Sequence, residues 1–334
     1  MKNFWTTLPR PIVALAPMEG VTDSAFRQLC RHFGADVVYT EFISSDAIDH
    51  RAPSALRKMD FHSSEQPVVC QIFGRNPDAF RRAAQEVERR GFAGIDLNFG
   101  CPARKVMSHG SGVSLMRDPQ YARRLIESVM EVVSIPVSIK VRASIRREAK
   151  EVDPTCTDRV TAADLVAAIK DLPVAAIMVH GRSYEQGFTG SPDTAMIARV
   201  KQAFDGIVLA NGGIHSADDG ERILQASGAD GVGVARGSVG RPTIFTDLRD
   251  RLRPDEGPTT TPETAEIIIR HAELILATKG ERGLVEIRKH LSAYVTGLPN
   301  ATAFRRRLSA VSTQADIAAF AGDVKIAAKQ QHPD

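Results

Sequence analysis

The chain has 334 residues, 43% of them apolar and 25% charged, an ordinary globular composition able to bury a large core without disulfides. A formal net charge of +3 is too small to diagnose nucleic-acid binding, so such a role must be argued from where the basic residues lie. Cys30, Cys70, Cys101 and Cys156 form no metal-ligand pattern, the segment Met1 to Arg10 is no signal peptide, and no apolar run is long enough to span a membrane, so a cytoplasmic protein without metal or membrane partner is expected.

In chain order, short apolar runs at residues 12–16, 37–41, 68–73, 94–98, 137–141, 176–180, 207–211 and 231–235 read as buried strands. Amphipathic stretches at 78–90, 119–133, 162–170, 194–203 and 217–227 separate the later ones. Eight such units within residues 1–250 predict an α/β fold of the TIM (β/α)8 barrel type, typically about 250 residues long. A doubly wound open sheet is the alternative. The barrel is favoured because polar residues close nearly every strand, at Glu41, Gln71, Asn98, Lys140, His180, Asn211 and Arg236 among others, and a barrel gathers its strand ends at one mouth. Residues 251–262, rich in Pro, Gly and Thr, read as a linker. Residues 263–334 then read as a small all-helical domain, with helices at 263–278, 284–296, 301–311 and 313–328. Thr261 is the expected cap of the first, with Pro262 at its first position.

The run Asp96-Leu97-Asn98-Phe99-Gly100-Cys101-Pro102 leaves the fourth strand and puts a cysteine in a mouth loop, where the following Arg104 and Lys105 are expected to lower its pKa. A thiol there serves as a general acid or as a nucleophile. Cys30 and Cys70 read as buried apolar residues of a helix and a strand. Asn211-Gly212-Gly213 and Ala235-Arg236-Gly237-Ser238 follow strands seven and eight, where barrels often hold phosphate. Ser216 and the helix after it are expected to add a positive N-terminus. Gly231-Val232-Gly233 lacks the third glycine of a dinucleotide fingerprint. Lys140, flanked by buried-type residues, points to a Schiff base or to a cation facing negative charge on a reduced cofactor or an enolate. Spacing alone leaves His180 open between a core residue and a hydrogen-bond donor.

These motifs, taken with Ala16 to Asp23, Gln71 to Gly74, Lys140 to Arg142, Val179 to Arg182 and the basic segments Lys279 to Arg282 and Arg288 to Leu291, occur in an order that resembles the tRNA-dihydrouridine synthases. The resemblance spans nearly the whole chain. It implies an FMN-dependent oxidoreductase that takes electrons from NADPH and reduces a tRNA uridine. It places Pro17, Met18, Glu19, Gln71, Lys140, His180, Asn211, Gly212, Gly213, Ala235 and Arg236 around FMN, and makes Cys101 the acid that protonates uracil C5 as hydride reaches C6. Asn98, with His180, would orient the base and the flavin, and Lys105, Arg142, Arg182, Arg288 and Lys289 would bind tRNA, the last two from a helical tRNA-binding domain at 263–334. A monomer is expected. Three positions depart from the family's pattern: Gly213 where an acid is usual, Ala235 where glycine is usual, and Ser183-Tyr184 where Thr-Arg is common. The competing readings are a flavin barrel acting on a small molecule, as dihydroorotate dehydrogenases do, and a non-catalytic RNA-binding barrel.

Overall fold

The computed structural model describes residues 3–147, 158–257 and 259–331; Cys156, Pro258 and the end of the predicted helical domain lie outside them. Eight parallel strands form the barrel: β1 (Ile12–Leu15), β2 (Val37–Tyr39), β3 (Val68–Phe73), β4 (Gly94–Phe99), β5 (Val137–Arg142), β6 (Ala176–His180), β7 (Ile207–Asn211) and β8 (Gly231–Val234). Each pairs with the next, and β1 pairs with β8 in the register Ile12 with Gly231. That last ladder closes the sheet and excludes the open-sheet alternative.

Alternation along the strands sorts the core into two shells. Ile12, Ala14, Val37, Tyr39, Val69, Met178 and Leu209 fill the barrel, with Trp5 of the 3-10 turn Phe4–Thr6 beneath them. Val13, Leu15, Val38, Ile95 and Leu97 face outward onto the helices. Those helices start where the sequence supplies caps. Asp118 accepts from Tyr121 N–H ahead of Pro119, and Thr161 with Asp164 forms a capping box. Two short strands, Ser144–Arg146 and Arg159–Thr161, pair antiparallel after β5.

Beyond the barrel helix Ile244–Leu252, the chain is less of a free linker than its composition suggests. Arg253 is buried, and its Nη1 and Nη2 lie 3.2 and 3.3 Å from Asp36 Oδ1. Thr259 N–H donates to Asp250 at 3.0 Å. The next helix, Thr264–Lys279, is preceded by Glu263 rather than Thr261, and no side chain caps it. The predicted helix at 284–296 divides at Ile287 into Gly283–Glu286 and Arg288–Tyr294, followed by Ala301–Arg307 and Gln314–Gln331. These helices share one continuous apolar core with the barrel's outer shell, through Ile267, Ile268 and Leu291. At the junction, Phe26 of helix Ser24–His32 packs against the buried imidazoles of His271 and His290, with ring centroids 5.7 and 5.0 Å away. Lys279 Nζ reaches across to Asp23 Oδ2 at 2.7 Å. No described helix is long and apolar enough to cross a membrane.

Candidate active site

The C-terminal ends of the strands surround a cavity of about 480 Å³. Pro17, Met18 and Glu19 line it after β1, Gln71 from β3, Asn98 and Cys101 from β4 and its loop, and Lys140 and Arg142 from β5. His180 and Arg182 enter from β6, Asn211, Gly212 and Gly213 from β7, and Ala235 and Arg236 from the loop after β8. Lys105 is exposed in the short helix Arg104–Met107, outside the cavity, and Arg288 and Lys289 stand on helix Arg288–Tyr294. Phe42, Phe188 and His215 also line the cavity, and no motif marked them; Ile214, which follows Gly213 in the β7 motif, lines it too. Phe188 is 55% exposed, with the guanidinium of Arg236 4.4 Å and that of Arg142 5.6 Å from its ring centroid.

Hydrogen bonds tie the lining into two groups. Lys140 Nζ donates to Asn211 Oδ1 at 3.2 Å, and Asn211 Nδ2 donates to Gly233 O at 2.6 Å. On the other side, Asn98 Oδ1 accepts from the N–H groups of Gly100 and Cys101 at 3.1 and 2.9 Å, which holds the Cys101 turn against the end of β4. Arg142 is buried and gives Nε to Gly100 O and Nη1 to Ser183 O and Gly187 O, so much of its guanidinium braces the β4 and β6 loops. Arg182 holds Thr189 O and Gly190 O through Nε.

The electrostatics differ from the sequence reading at the thiol. Burial pushes the Cys101 pKa up. The opposing pull comes from a backbone N–H and from Lys140 and Arg142, not from its chain neighbours Arg104 and Lys105. A protonated thiol suits an acid and not a nucleophile. Burial, helped by Lys140, Arg142, Arg182 and Arg236, takes His180 down to about 2, so its imidazole is neutral. Lys140 is lowered to about 8 by burial and Arg142, with Asp96 opposing, and stays mainly a cation at neutral pH.

The anion-binding turns are also rearranged. The helix Ala217–Ser227 does not offer a free positive end. Ser216 Oγ caps Asp219 N–H, Asp219 accepts from His215 N–H at 2.9 Å, and Asp218 and Asp219 occupy the first turn. The site's anion-seeking groups are therefore the glycine backbone and Arg236. Gly212 has φ of +110°, and a Cβ there would lie 2.5 Å from the His180 ring. At Gly237 one would meet Ile214 O at 2.1 Å. Glycine is required at both places to bring the loops after β6, β7 and β8 this close.

The family profile described as dihydrouridine synthase (Dus) matches residues 14–331. The chain belongs to this family. A probable tRNA-dihydrouridine synthase of Rickettsia conorii is 36% identical over 297 residues, 88% of this chain and 87% of the relative. The tRNA-dihydrouridine synthase B of Pseudomonas aeruginosa is 34% identical over 306 residues, covering 91% and 89%. Among solved structures, histamine dehydrogenase from Rhizobium sp. 4-9 superposes with a TM-score of 0.55 at 13% identity, over 93% of this chain and 62% of that one. Morphinone reductase gives 0.50 at 15% identity, over 78% and 89%. At those identities the two structures speak for the barrel fold alone.

Proposed function

We propose that this dihydrouridine synthase binds FMN in the barrel mouth, draws electrons from NADPH, and reduces the C5–C6 double bond of a uridine in tRNA, acting as a cytoplasmic monomer. The observation that carries the reading is a thiol held protonated on the wall of a cavity that also presents Lys140, Arg142, Arg182 and Arg236. The residues suit the cofactor. The cavity's 480 Å³ lies within the range of about 300–1,000 Å³ usual for such sites, and Arg236 with the glycine turns suits a phosphate. When bound, FMN supplies the hydride that uracil C6 receives.

The chain's own residues do the rest. Cys101 donates the S–H proton to uracil C5, quenching the negative charge that builds on the conjugated carbonyl. Asn98 fixes the backbone of the Cys101 turn and faces the base. Lys140, held by Asn211, would supply a positive charge to a bound flavin, and neutral His180 would offer it a hydrogen bond without adding charge. The uridine enters the mouth unstacked, as other base-modifying enzymes require. The exposed cations Lys105 and Lys289, with Arg288 partly engaged by Val311 O at 2.7 Å, grip the tRNA backbone, the latter two from the C-terminal helical domain.

Cys101→Ala tests the reading. The variant should retain FMN and its bleaching by NADPH, while uridine reduction falls by about 10²-fold or more. Normal dihydrouridine formation in that variant would refute the acid assignment, and a wild-type protein without FMN would refute the reading as a whole.

A further inference from the structure

The functional reading leaves one buried charged group in the barrel without a role. Asp96 is fully buried on β4 and points inward one pleat below Asn98, opposite Gln71 of β3 and Ser138 of β5. Its Oδ2 accepts from Gln71 Nε2 at 2.7 Å and its Oδ1 from Ser138 Oγ at 2.6 Å. Gln71 Oε1 accepts in turn from Asn98 Nδ2 at 2.9 Å, and Asn98 Oδ1 accepts from the N–H groups of Gly100 and Cys101. A carboxylate only accepts hydrogen bonds and a backbone N–H only donates. The two amides between them therefore have one consistent orientation, in which each nitrogen spends one N–H inside the chain and keeps one to offer. Gln71, Asn98 and Cys101 all line the cavity, whereas Asp96 does not.

We propose that Asp96 is a positioning residue for uridine reduction. It anchors the Gln71–Asn98 chain that holds the Cys101 turn and leaves one N–H of each amide free to donate to a cavity occupant, and it supplies the negative charge on the face of the sheet from which Lys140 rises. The second part follows from placement. Lys140 rises from β5 two residues beyond Ser138, on the same face, and Asp96 is the carboxylate acting to raise its pKa against burial and Arg142. The titratable groups facing this pair inside the barrel are Tyr39 on β2, Arg142 on β5, Cys101 after β4 and His180 on β6. Among them Tyr39 and Cys101 are raised, Arg142 is lowered to about 10 and His180 to about 2, while burial lifts Asp96 itself to about 6 against Gln71, Ser138 and Lys140, so the carboxylate is ionised where Lys140 titrates, near pH 8.

Two substitutions separate the parts. Asp96→Asn keeps an oxygen for Gln71 and a nitrogen for Ser138 but removes the charge. In the FMN-loaded enzyme, the pH titration of the flavin absorption spectrum should keep its amplitude and move to lower pH than in wild type. Asp96→Val removes the acceptor, and should lower the rate of uridine reduction by about tenfold, the scale of one lost buried hydrogen bond, with tRNA Kd within about threefold. In a Gln71→Met background, Asp96→Val should add little further loss, because the effect passes through Gln71. Superimposable titrations for Asp96→Asn and wild type would overturn the counter-charge. Wild-type turnover in Asp96→Val, or full additivity with Gln71→Met, would overturn the anchor. If Asp96→Val fails to fold, wild-type behaviour of Asp96→Asn still refutes the counter-charge, and wild-type turnover in Gln71→Met, which cuts the chain at its middle member, still refutes the anchor. The idea rests on the flavin reading, yet the two fail separately: a wild-type enzyme that binds FMN and reduces uridine while ignoring Asp96 sinks only this inference.

Discussion

Lys279→Met should unhook the C-terminal helices from the barrel mouth. Asp23 follows the β1 loop that lines the cavity, caps helix Ser24–His32 through Phe26 N–H at 3.0 Å, and is buried against Lys279. Burial alone would raise its pKa, but Lys279, the Phe26 N–H and His290 outweigh burial and bring it from 3.8 to about 2. A downward shift of that size corresponds to about 2 kcal/mol, present at pH values above the unfolded pKa and lost as pH falls through the folded one. Removing Lys279 deletes this term and leaves a buried carboxylate without its cation, so the full cost at pH 7 should be about 3–5 kcal/mol. For a chain of this length that lowers Tm by about 4–7 °C. Thermal unfolding from pH 7 down to pH 4 should show the gap to wild type narrowing, because the variant's Asp23 takes up a proton where the wild type's stays ionised. Asp23→Asn combined with Lys279→Met should recover part of the loss, since neither charge is then stranded. A gap below about 0.5 kcal/mol at pH 7, the scale of an ordinary surface substitution, would refute the reasoning.

Two further expectations concern the cofactor and the RNA. Gly212→Ala puts a methyl group into the His180 ring at a backbone angle that L-residues avoid, and the purified variant should show a reduced flavin-to-protein absorbance ratio; a wild-type ratio would remove Gly212 from the cofactor cradle. Raising salt should weaken tRNA binding along a straight log–log line, and Lys289→Glu should lower its slope by about one contact; an unchanged slope would take Lys289 off the RNA. Full-length charge variants are preferable to truncation, because removing the helices would expose Phe26 and strand Asp23.

The barrel was legible because its signals are local: eight apolar runs, capped helices between them, and polar residues at the strand ends that a barrel must bring together. The mouth followed from the same rule, which is why residues as distant in sequence as Met18 and Arg236 line one cavity. What sequence could not supply was the environment of each group. Arg104 and Lys105 adjoin Cys101 in the chain, yet Lys140 and Arg142, about forty residues later, are the side-chain cations acting on its thiol. Ser216 looked like the start of an anion-binding helix, but Asp219 folds back to consume the His215 N–H. The linker's composition concealed Arg253, whose ion pair with Asp36 depends on a partner more than two hundred residues earlier.

The same distinction bears on Gly213, where the resemblance leads one to expect an acid. Within the described residues, the cavity's one lining carboxylate is Glu19, and it is engaged by Lys58. Lys140, Arg142, Arg182 and Arg236 face no other acid on the wall. A side chain at 213 would begin 3.5 Å from Arg182 Nη2, so a carboxylate there would neutralise that arginine. Glycine instead leaves Arg182 held, among the described residues, through Nε, with its terminal nitrogens toward the β7 turn. The wall becomes more positive, consistent with the imidazole of His180 being driven so far toward its neutral form. The departure therefore exchanges one hydrogen-bond acceptor for a stronger field around an anionic occupant, and a phosphate-bearing cofactor remains compatible with the site.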